Sequence, residues 1–314
     1  MSDSTPLELP AGFVALVGQP NVGKSTLMNA VLGVKVAIAT SKPQTTRNRI
    51  LGVQTLSGKG QLCFVDTPGI HQGPKRLNRV MNEVALQSLR EVDVVCHMVD
   101  AAALAGWQRR TGQQGLPPEE RYVIERLSQA EVPALLVLNK IDQIKDKNLL
   151  LPMIDALTER TDYAAVVPLS ALTGEQLDAF VETVLAQLPH QGLLFPEDML
   201  TDQAERFLAA EFVREQVMLQ TRKEIPYSVA VEVEHFNEDE ARDLLEISAV
   251  IHVERDSQKG IIIGQGGQRI KAIGQAARAE LERFFGRQVF LETFVRVEPQ
   301  WSEKSRHLHR FGYE

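Results

Sequence analysis

Cysteine is nearly absent from this chain: Cys63 and Cys96 are its only two among 314 residues, and both lie inside apolar runs. Two thiols in such settings read as buried and inert, which argues against a disulfide or a cysteine metal site and fits a reducing compartment. Long hydrophobic runs are missing as well. No uninterrupted apolar stretch approaches the roughly 18 residues that span a bilayer, and no cationic leader precedes an apolar segment, so neither a membrane span nor secretion is indicated. Positive charge is also in deficit. A formal net charge of −7 excludes a uniformly basic surface that would coat nucleic acid, and leaves a local basic patch as the only route to such a partner. What remains is an ordinary soluble composition, 44% hydrophobic and 24% charged, which excludes disordered and fibrous classes. The length exceeds what a single core usually organises, so two domains are expected.

The first half alternates short apolar segments with helical ones. Strands are expected at Phe13 to Val17, Ile50 to Thr55, Gln61 to Asp66, Asp93 to Val99, Ala134 to Asn139 and Ala165 to Pro168. Most are near-continuous Val/Leu/Ile runs, as in parallel strands covered on both faces, so the expectation is a doubly wound α/β domain. Lys75 to Arg90, Glu119 to Ala130 and Gln176 to Leu188 have helical spacing, while Ala105 to Pro118 reads as a Gly/Gln/Pro-rich surface loop. Pro189, Gly192 and Pro196 then break the pattern. The expected division is a tail 1–10 carrying Pro6 and Pro10, an α/β domain 11–188, a linker 189–203 and a second, α+β domain 204–314. In the second domain the expected order is helix Ala204 to Arg222, strand Tyr227 to His235, strand Glu246 to Asp256, a glycine loop, helix Gln268 to Phe285 and strand Val289 to Val297. Val229, Val231 and Val233 alternate with Ala230, Glu232 and Glu234, which suits a sheet with one wet face.

The strongest chemical signal is Gly18-Gln19-Pro20-Asn21-Val22-Gly23-Lys24-Ser25, placed between a strand and a helix. It fits G-x-x-x-x-G-K-S/T, in which backbone N–H groups close around phosphate oxygens, the lysine reaches the outer phosphates and the hydroxyl takes Mg²⁺. The following helix, Thr26 to Leu32, directs its positive N-terminal end at the same place. Gly18, Asn21, Val22, Gly23, Lys24, Ser25 and Thr26 are therefore candidate phosphate contacts. Asp66-Thr67-Pro68-Gly69 follows a second strand. There Asp66 can hold Mg²⁺ through water and the Gly69 N–H can meet a γ-phosphate. This pattern alone is weak, since an ordinary turn has the same composition.

Asn139-Lys140-Ile141-Asp142 ends another strand and matches N-K-x-D. The Asp142 carboxylate can accept from the ring N1–H and exocyclic amine of guanine, whereas adenine presents no such donor pair, so the base is read as guanine. Ser170-Ala171-Leu172 adds a backbone contact to the base. In the second domain, Gly264-Gln265-Gly266-Gly267 follows the apolar Ile261 to Ile263 run and supplies a G-x-x-G loop that a nucleic-acid backbone can approach without Cβ obstruction. From residue 197 onward sixteen Lys/Arg face twenty-two Asp/Glu, yet between Arg255 and Arg287 seven basic residues face three acidic ones. Lys259, Arg269 and Lys271 are the candidate phosphate contacts there.

Taken in order, these motifs resemble those of translational GTPases, and Pro43-Gln44-Thr45-Thr46-Arg47 resembles the first switch of the Era family. The resemblance extends over almost the whole chain, including Pro196-Glu197-Asp198 and the terminal Trp301 to Tyr313 segment. It implies a P-loop GTPase domain followed by a KH domain. By that resemblance Ser25, Thr46 and Asp66 would ligate Mg²⁺, with Thr45 as the alternative hydroxyl, and Lys24, Thr46 and Gly69 would serve hydrolysis of GTP to GDP. Asn21 occupies the position that holds K⁺ in K⁺-activated relatives. The implied partners are the 3′ end of small-subunit ribosomal RNA and the small ribosomal subunit, whose maturation the protein would assist. A cytoplasmic monomer is implied, with room for peripheral association at the inner face of the membrane. One departure bears on mechanism: Ile70 stands where Ras-like enzymes carry a water-orienting glutamine, and Arg47, Arg49, Arg76 and Arg79 all read as surface residues rather than as an arginine finger. Slow hydrolysis follows, and a rival reading, a non-catalytic RNA-binding adaptor with GTP as a structural ligand, stays open at this point. An ATP-dependent enzyme conflicts with Asp142.

Overall fold

The computed structural model describes residues 8–42, 44–70, 76–113, 115–128, 131–222 and 225–313. Pro6 of the expected tail, Pro43 of the switch-like segment, and Lys75 and Ala130 at the ends of expected helices lie outside the described residues. The chain separates into two compact units, one drawn from Met1–Val36, Asn48–Gln72 and Met81–Asp202, the other from Ala37–Arg47, Gly73–Val80 and Gln203–Glu314.

The first unit runs β1 (Ala11–Gly18), α1 (Lys24–Leu32), β2 (Ile50–Leu56), β3 (Gly60–Asp66), α2 (Arg76–Ser88, of which the first turns fall in the second unit), β4 (Val94–Asp100), α3 (Ala101–Thr111), α4 (Pro118–Leu127), β5 (Ala134–Asn139), α5 (Leu150–Thr158), β6 (Ala165–Pro168) and α6 (Leu177–Leu185). The strands form one sheet in the order β2-β3-β1-β4-β5-β6. Five strands are parallel, and only the edge strand β2 runs antiparallel, against β3. Parallel strands are buried on both faces, which is why β3 is buried at all seven positions. Ala15, Val17, Cys63, Val65 and Val95 meet Ala85 of α2, Leu89 just beyond its end, and Val123 and Leu127 of α4. On the other side Phe64 stacks on Phe180 of α6, with centroids 6.3 Å apart. Cys63 and Cys96 are buried and free, and burial raises both thiols above their ordinary range.

Of the stretch read as a loop from Ala105 to Pro118, the part up to Thr111 is helix instead, while residues 112–113 and 115–117 are loop as expected. In α3 Asp100 caps the start by accepting from the Ala103 N–H at 2.8 Å, Leu104 and Ala105 enter the core, and Gly112 ends it with φ 68°. The caps and two buried side chains outweigh the loop-like composition of the rest.

In the second unit α7 (Glu205–Gln220), β7 (Ala230–Asp239), β8 (Leu244–Val253), α8 (Asp256–Ile263), α9 (Gln268–Phe285), β9 (Gln288–Val297) and α10 (Ser305–Arg310) surround a sheet of order β7-β8-β9. β7 and β8 are antiparallel; β8 and β9 are parallel. Leu245, Ile247, Ala249, Ile251 and Val253 line the inner face with Val231 and Val233, under α7 and α9. The expected alternation holds at Val231, Val233 and exposed Glu234, but Ala230, expected on the wet face, is fully buried. The outer face is partly roofed by the terminal segment, where Phe311 lies 4.6 Å from the His252 ring and fully buried Trp301 donates to the Ser228 carbonyl at 2.9 Å.

A further helix corrects the expected order: α8 separates β8 from the glycine loop. Three consecutive β-branched isoleucines look like extended chain, but Gln258 and Ile262, four positions apart, are the buried residues of α8 while Ile261 is 41% exposed, the helical spacing that tertiary packing imposes. Among the described residues no helix is long and apolar enough to cross a membrane.

Candidate functional site

β1, β3, β5 and β6 deliver all four nucleotide motifs from their C-terminal ends, the edge of an open α/β sheet where loops meet ligands. The loop after β1 bends through Asn21 (φ 66°) and Gly23 (φ 105°) before α1 starts. A side chain at Gly23 would collide with the Asn139 amide, so this glycine is required by contact as well as by its backbone angle. Lys24 is 6% exposed, and its Nζ donates to the carbonyls of Gly18 and Gln19 at 3.3 and 3.1 Å. Burial lowers its pKa to about 8, with Asp66 pulling the other way. Ser25 Oγ donates to Asp66 Oδ2 at 2.6 Å, and both are buried. Thr26 follows in the first turn of α1.

Gly69 lies against the phosphate loop: a Cβ there would stand 2.8 Å from Pro20 Cα. The next residue, Ile70, donates its N–H to the Gly18 carbonyl at 3.3 Å and is 3% exposed in the core. A buried aliphatic side chain has no means of orienting water, which agrees with the departure noted above.

Asn139 joins the motifs. Its Nδ2 donates to the Val22 carbonyl at 2.7 Å, and its Oδ1 accepts from the N–H groups of Lys140 and Ala171 at 2.8 and 3.0 Å. Lys140 adopts φ 64°, and its Nζ reaches the Asn21 carbonyl and Asp100 Oδ2, each at 2.6 Å. Asp100 was not foreseen; an acid at the end of a strand has no local signature of pairing with a lysine forty residues away. Asp142 is exposed in a short turn, Ser170 is buried with its Oγ accepting from the Thr173 N–H at 3.2 Å, and Leu172 is 78% exposed. The structure thus brings Asn139, Lys140 and Ala171 onto the phosphate loop and leaves Asp142 and Leu172 facing outward.

Thr46 belongs to the second unit and is 6% exposed there. The neighbouring Thr45 hydroxyl is engaged with Thr40 Oγ1 at 2.7 Å and with the Lys42 carbonyl at 2.6 Å. Arg47 is not a surface residue. It is 2% exposed, donates to the carbonyls of Val229 and Pro226 at 2.7 and 3.2 Å, and lies over the rings of Trp301 and Tyr313 at 5.6 and 5.5 Å. Carbonyls and aromatic faces accommodate a buried guanidinium, and the residues that supply them are about 180 or more positions away in sequence.

The glycine loop joins α8 to α9 through Gly264 (φ 71°), Gly266 (φ 57°) and Gly267 (φ 78°). Gln265 and Gly266 are exposed at the tip. Arg269 is half-buried and donates to the Ile261 carbonyl, closing the end of α8. Of the basic run, Arg278, Arg283 and Arg287 pair with Glu282, Glu280 and Glu238, whereas among the described residues Lys259 and Lys271 form no ion pair.

The lowered Lys24 pKa has a measurable consequence. Polyphosphate oxygens favour the ammonium, so binding near and above pH 8 takes up a proton; affinity is complete below the empty-state value and declines as pH rises through it. Calorimetric titration at about pH 8.5 in two buffers of different ionisation enthalpy should reveal this uptake, and Lys24→Met should remove it. No uptake by the unaltered protein would mean that Lys24 is fully charged before the ligand arrives.

Residues 13–140 match the family described as 50S ribosome-binding GTPase, and residues 224–302 match the KH domain. GTPase Era of Geobacter metallireducens is 49% identical over 303 residues, 96% of this chain and 97% of that protein; the Syntrophus aciditrophicus protein is 48% identical, covering 96% and 95%. Two crystal structures superpose with a TM-score of 0.90 at 43% identity, covering 97% of this chain and 99% of theirs: a variant of Aquifex aeolicus Era bound to GDP·AlF4⁻, and Era in complex with MgGDPNP and nucleotides 1506–1542 of 16S ribosomal RNA. Likeness of this extent, covering nearly the whole length of both units, makes the chain a member of the Era family of GTPases.

Proposed function

We propose that this GTPase spends each cycle of GTP hydrolysis on controlling how its KH unit binds the 3′ end of small-subunit ribosomal RNA during maturation of the small ribosomal subunit. The observation that carries the nucleotide half is the Asn139 amide, which gathers the phosphate loop, the guanine motif and the Ser170–Leu172 segment around one ligand. The RNA half is supported by the exposed glycine tip with Lys259 and Lys271 nearby in the chain, and by the Era structure that holds a 16S fragment. Family membership as a GTPase removes the non-catalytic adaptor from contention.

The donor set suits Mg²⁺: a hydroxyl and a carboxylate, hard oxygen ligands, meet at 2.6 Å in Ser25 and Asp66. When bound, the ion neutralises charge shared between the β- and γ-phosphates. We choose Thr46 for the further hydroxyl, following the likeness of Pro43 to Arg47 to the first switch of the family. Lys24 leaves the Gly18 and Gln19 carbonyls for the phosphates, the loop N–H groups hold the β-phosphate and the Gly69 N–H meets the γ-phosphate. Asp142 accepts from guanine, and Leu172 lies beside the base. In the second unit Gln265, Gly266 and Gly267 let the RNA backbone approach, with Gly264 and Arg269 shaping the loop. The chain is read as a monomer of the cytoplasm whose membrane contact, if any, is peripheral.

Replacing Asp142 by Asn exchanges an acceptor for a donor. GTP affinity should fall by at least ten-fold and xanthosine triphosphate should bind better than GTP, about the range of an unpaired buried polar group; ATP competing equally with GTP in the unaltered protein would overturn the base assignment.

Arg47 is engaged within the second unit, and we assign the charge of an arginine finger to K⁺ held by Asn21. Turnover in KCl should exceed that in NaCl at equal ionic strength by roughly ten-fold or more. Asn21→Gly, which φ 66° accepts without strain, should abolish the difference; equal rates in the two salts would remove K⁺ from the reaction.

The function as a whole is tested by RNA titration with a GTP analogue and with GDP at fixed salt. Affinities should differ by about 5- to 150-fold, and RNA should change analogue affinity by the same factor. Gly266→Asp puts a carboxylate at the exposed tip, where φ 57° tolerates it, and should abolish RNA binding while nucleotide affinity is kept. Identical RNA affinity in both nucleotide states would leave two independent modules.

A further inference from the structure

Behind the phosphate loop lies a buried polar chain that none of the roles above uses. The Gln19 side-chain amide donates to Glu120 Oε2 at 2.6 Å. The other oxygen of Glu120 is 2.7 Å from His97 Nε2, and His97 Nδ1 is 2.6 Å from the Tyr163 hydroxyl. His97 is fully buried on β4 and Glu120 is 3% exposed in the first turn of α4. Burial raises the Tyr163 phenol far above its ordinary range, so it stays protonated and donates. With Tyr163 donating to Nδ1, the imidazole carries its proton on Nε2 and donates to Glu120, whose second oxygen takes the Gln19 amide. Each of these contacts then has one donor and one acceptor, and a single negative charge is held by two donors.

The two ends of Gln19 matter differently. Its side chain is fixed by this carboxylate, while its backbone carbonyl is one of the two that hold the Lys24 ammonium. The Gln19 peptide, which precedes the bends at Asn21 and Gly23, can, once released from its side-chain anchor, rotate and turn its carbonyl toward the place where phosphate oxygens bind. A carboxylate anchor resists that rotation more strongly than a neutral one, because charge-assisted hydrogen bonds are about twice as strong.

We infer that Glu120, oriented by His97 and Tyr163, is a positioning residue of the GTPase: through Gln19 it sets the peptide that parks Lys24 and keeps the phosphate loop open to nucleotide. It touches neither nucleotide nor metal. The inference rests on the nucleotide reading of this loop, and GTP-analogue binding by the unaltered protein, measured alongside, separates a failure of that reading from a failure of this one.

Four variants test it in the full chain: Gln19→Leu, Glu120→Ala, the two combined, and Glu120→Gln. Analogue affinity, kcat and KM, and the thermal midpoint of the nucleotide-free protein are the readouts. Gln19→Leu takes the donor from the buried Glu120 Oε2, so it should lower the midpoint somewhat as well as weaken analogue affinity and raise KM by roughly ten-fold, with kcat within about two-fold; a purely structural role would not give that split between KM and kcat. Glu120→Ala should match it in affinity at a lower midpoint, and the double variant should bind no more weakly than Glu120→Ala, since both act through one contact. Glu120→Gln should recover affinity: its amide oxygen accepts from Gln19, its NH₂ donates to His97 Nε2, and the imidazole moves its proton to Nδ1 to donate to Tyr163. Unchanged affinity and KM in Gln19→Leu would overturn the inference. So would losses that multiply in the double variant, which would reduce the chain to packing between α4 and the sheet.

Discussion

One carboxamide, that of Asn139, is the constraint on which the nucleotide end of the molecule depends. It is 2% exposed and makes three hydrogen bonds, to Val22, Lys140 and Ala171. Each contributes about 0.5–1.5 kcal/mol net, but a buried amide stripped of partners costs more than it gains when satisfied, so the three loops are held in register by the penalty for leaving it. Gly23 belongs to the same constraint, since the amide occupies the space a side chain would need. Asn139 can do this because β5 lies second from the edge of the sheet beside β4, bringing its C-terminal end level with the loop after β1.

A different balance holds the segment 37–47 within the second unit. Its described residues form no strand or helix of their own, and their backbone and side chains rely on partners elsewhere. The Ala39 N–H donates to Glu215 Oε1 at 3.1 Å, Lys42 reaches the carbonyls of Met218 and Thr221, Arg214 donates to the Thr45 carbonyl, and Ile38 joins the core under α7. This explains why Glu211, Arg214 and Glu215 of α7 are buried rather than solvated. Burial alone would oppose the Arg214 charge, yet Glu211, bonded to it at 2.6 Å, more than offsets this and keeps the guanidinium charged. For Arg47 burial prevails and its pKa is lowered. A segment held by discrete side-chain bonds rather than a continuous ladder can be ordered or released as a unit, the usual behaviour of a switch.

Two kinds of information were legible in the residues alone. Motif chemistry was one: a glycine-framed turn ending in Lys24-Ser25, an acid after a second strand, Asn139 to Asp142 and the glycines 264 to 267 announce their ligands because backbone angles and donor types are local properties. Strand positions in the first unit were the other, because strands covered on both faces read as unbroken apolar runs. The misses have a common cause. α3 and α8 were obscured because composition argued against helix at Gly106, Trp107 and the three isoleucines, and only a core on one side of each segment, together with the Asp100 cap, decides otherwise.

Arg47 shows the limit most clearly. An arginine in a polar stretch reads as solvated, since nothing nearby in the chain can compensate a buried guanidinium; Trp301, Tyr313, Val229 and Pro226 do so from 179 or more residues away. The same is true of Asp100 with Lys140 and of Tyr163, His97 and Glu120 behind Gln19. By itself the sequence determined which ligands the chain recognises, because recognition is written in residue type and short spacing. Only the tertiary structure decided which charges are buried and what holds them, because the desolvation of a charge is compensated by groups that the fold alone brings within hydrogen-bond reach.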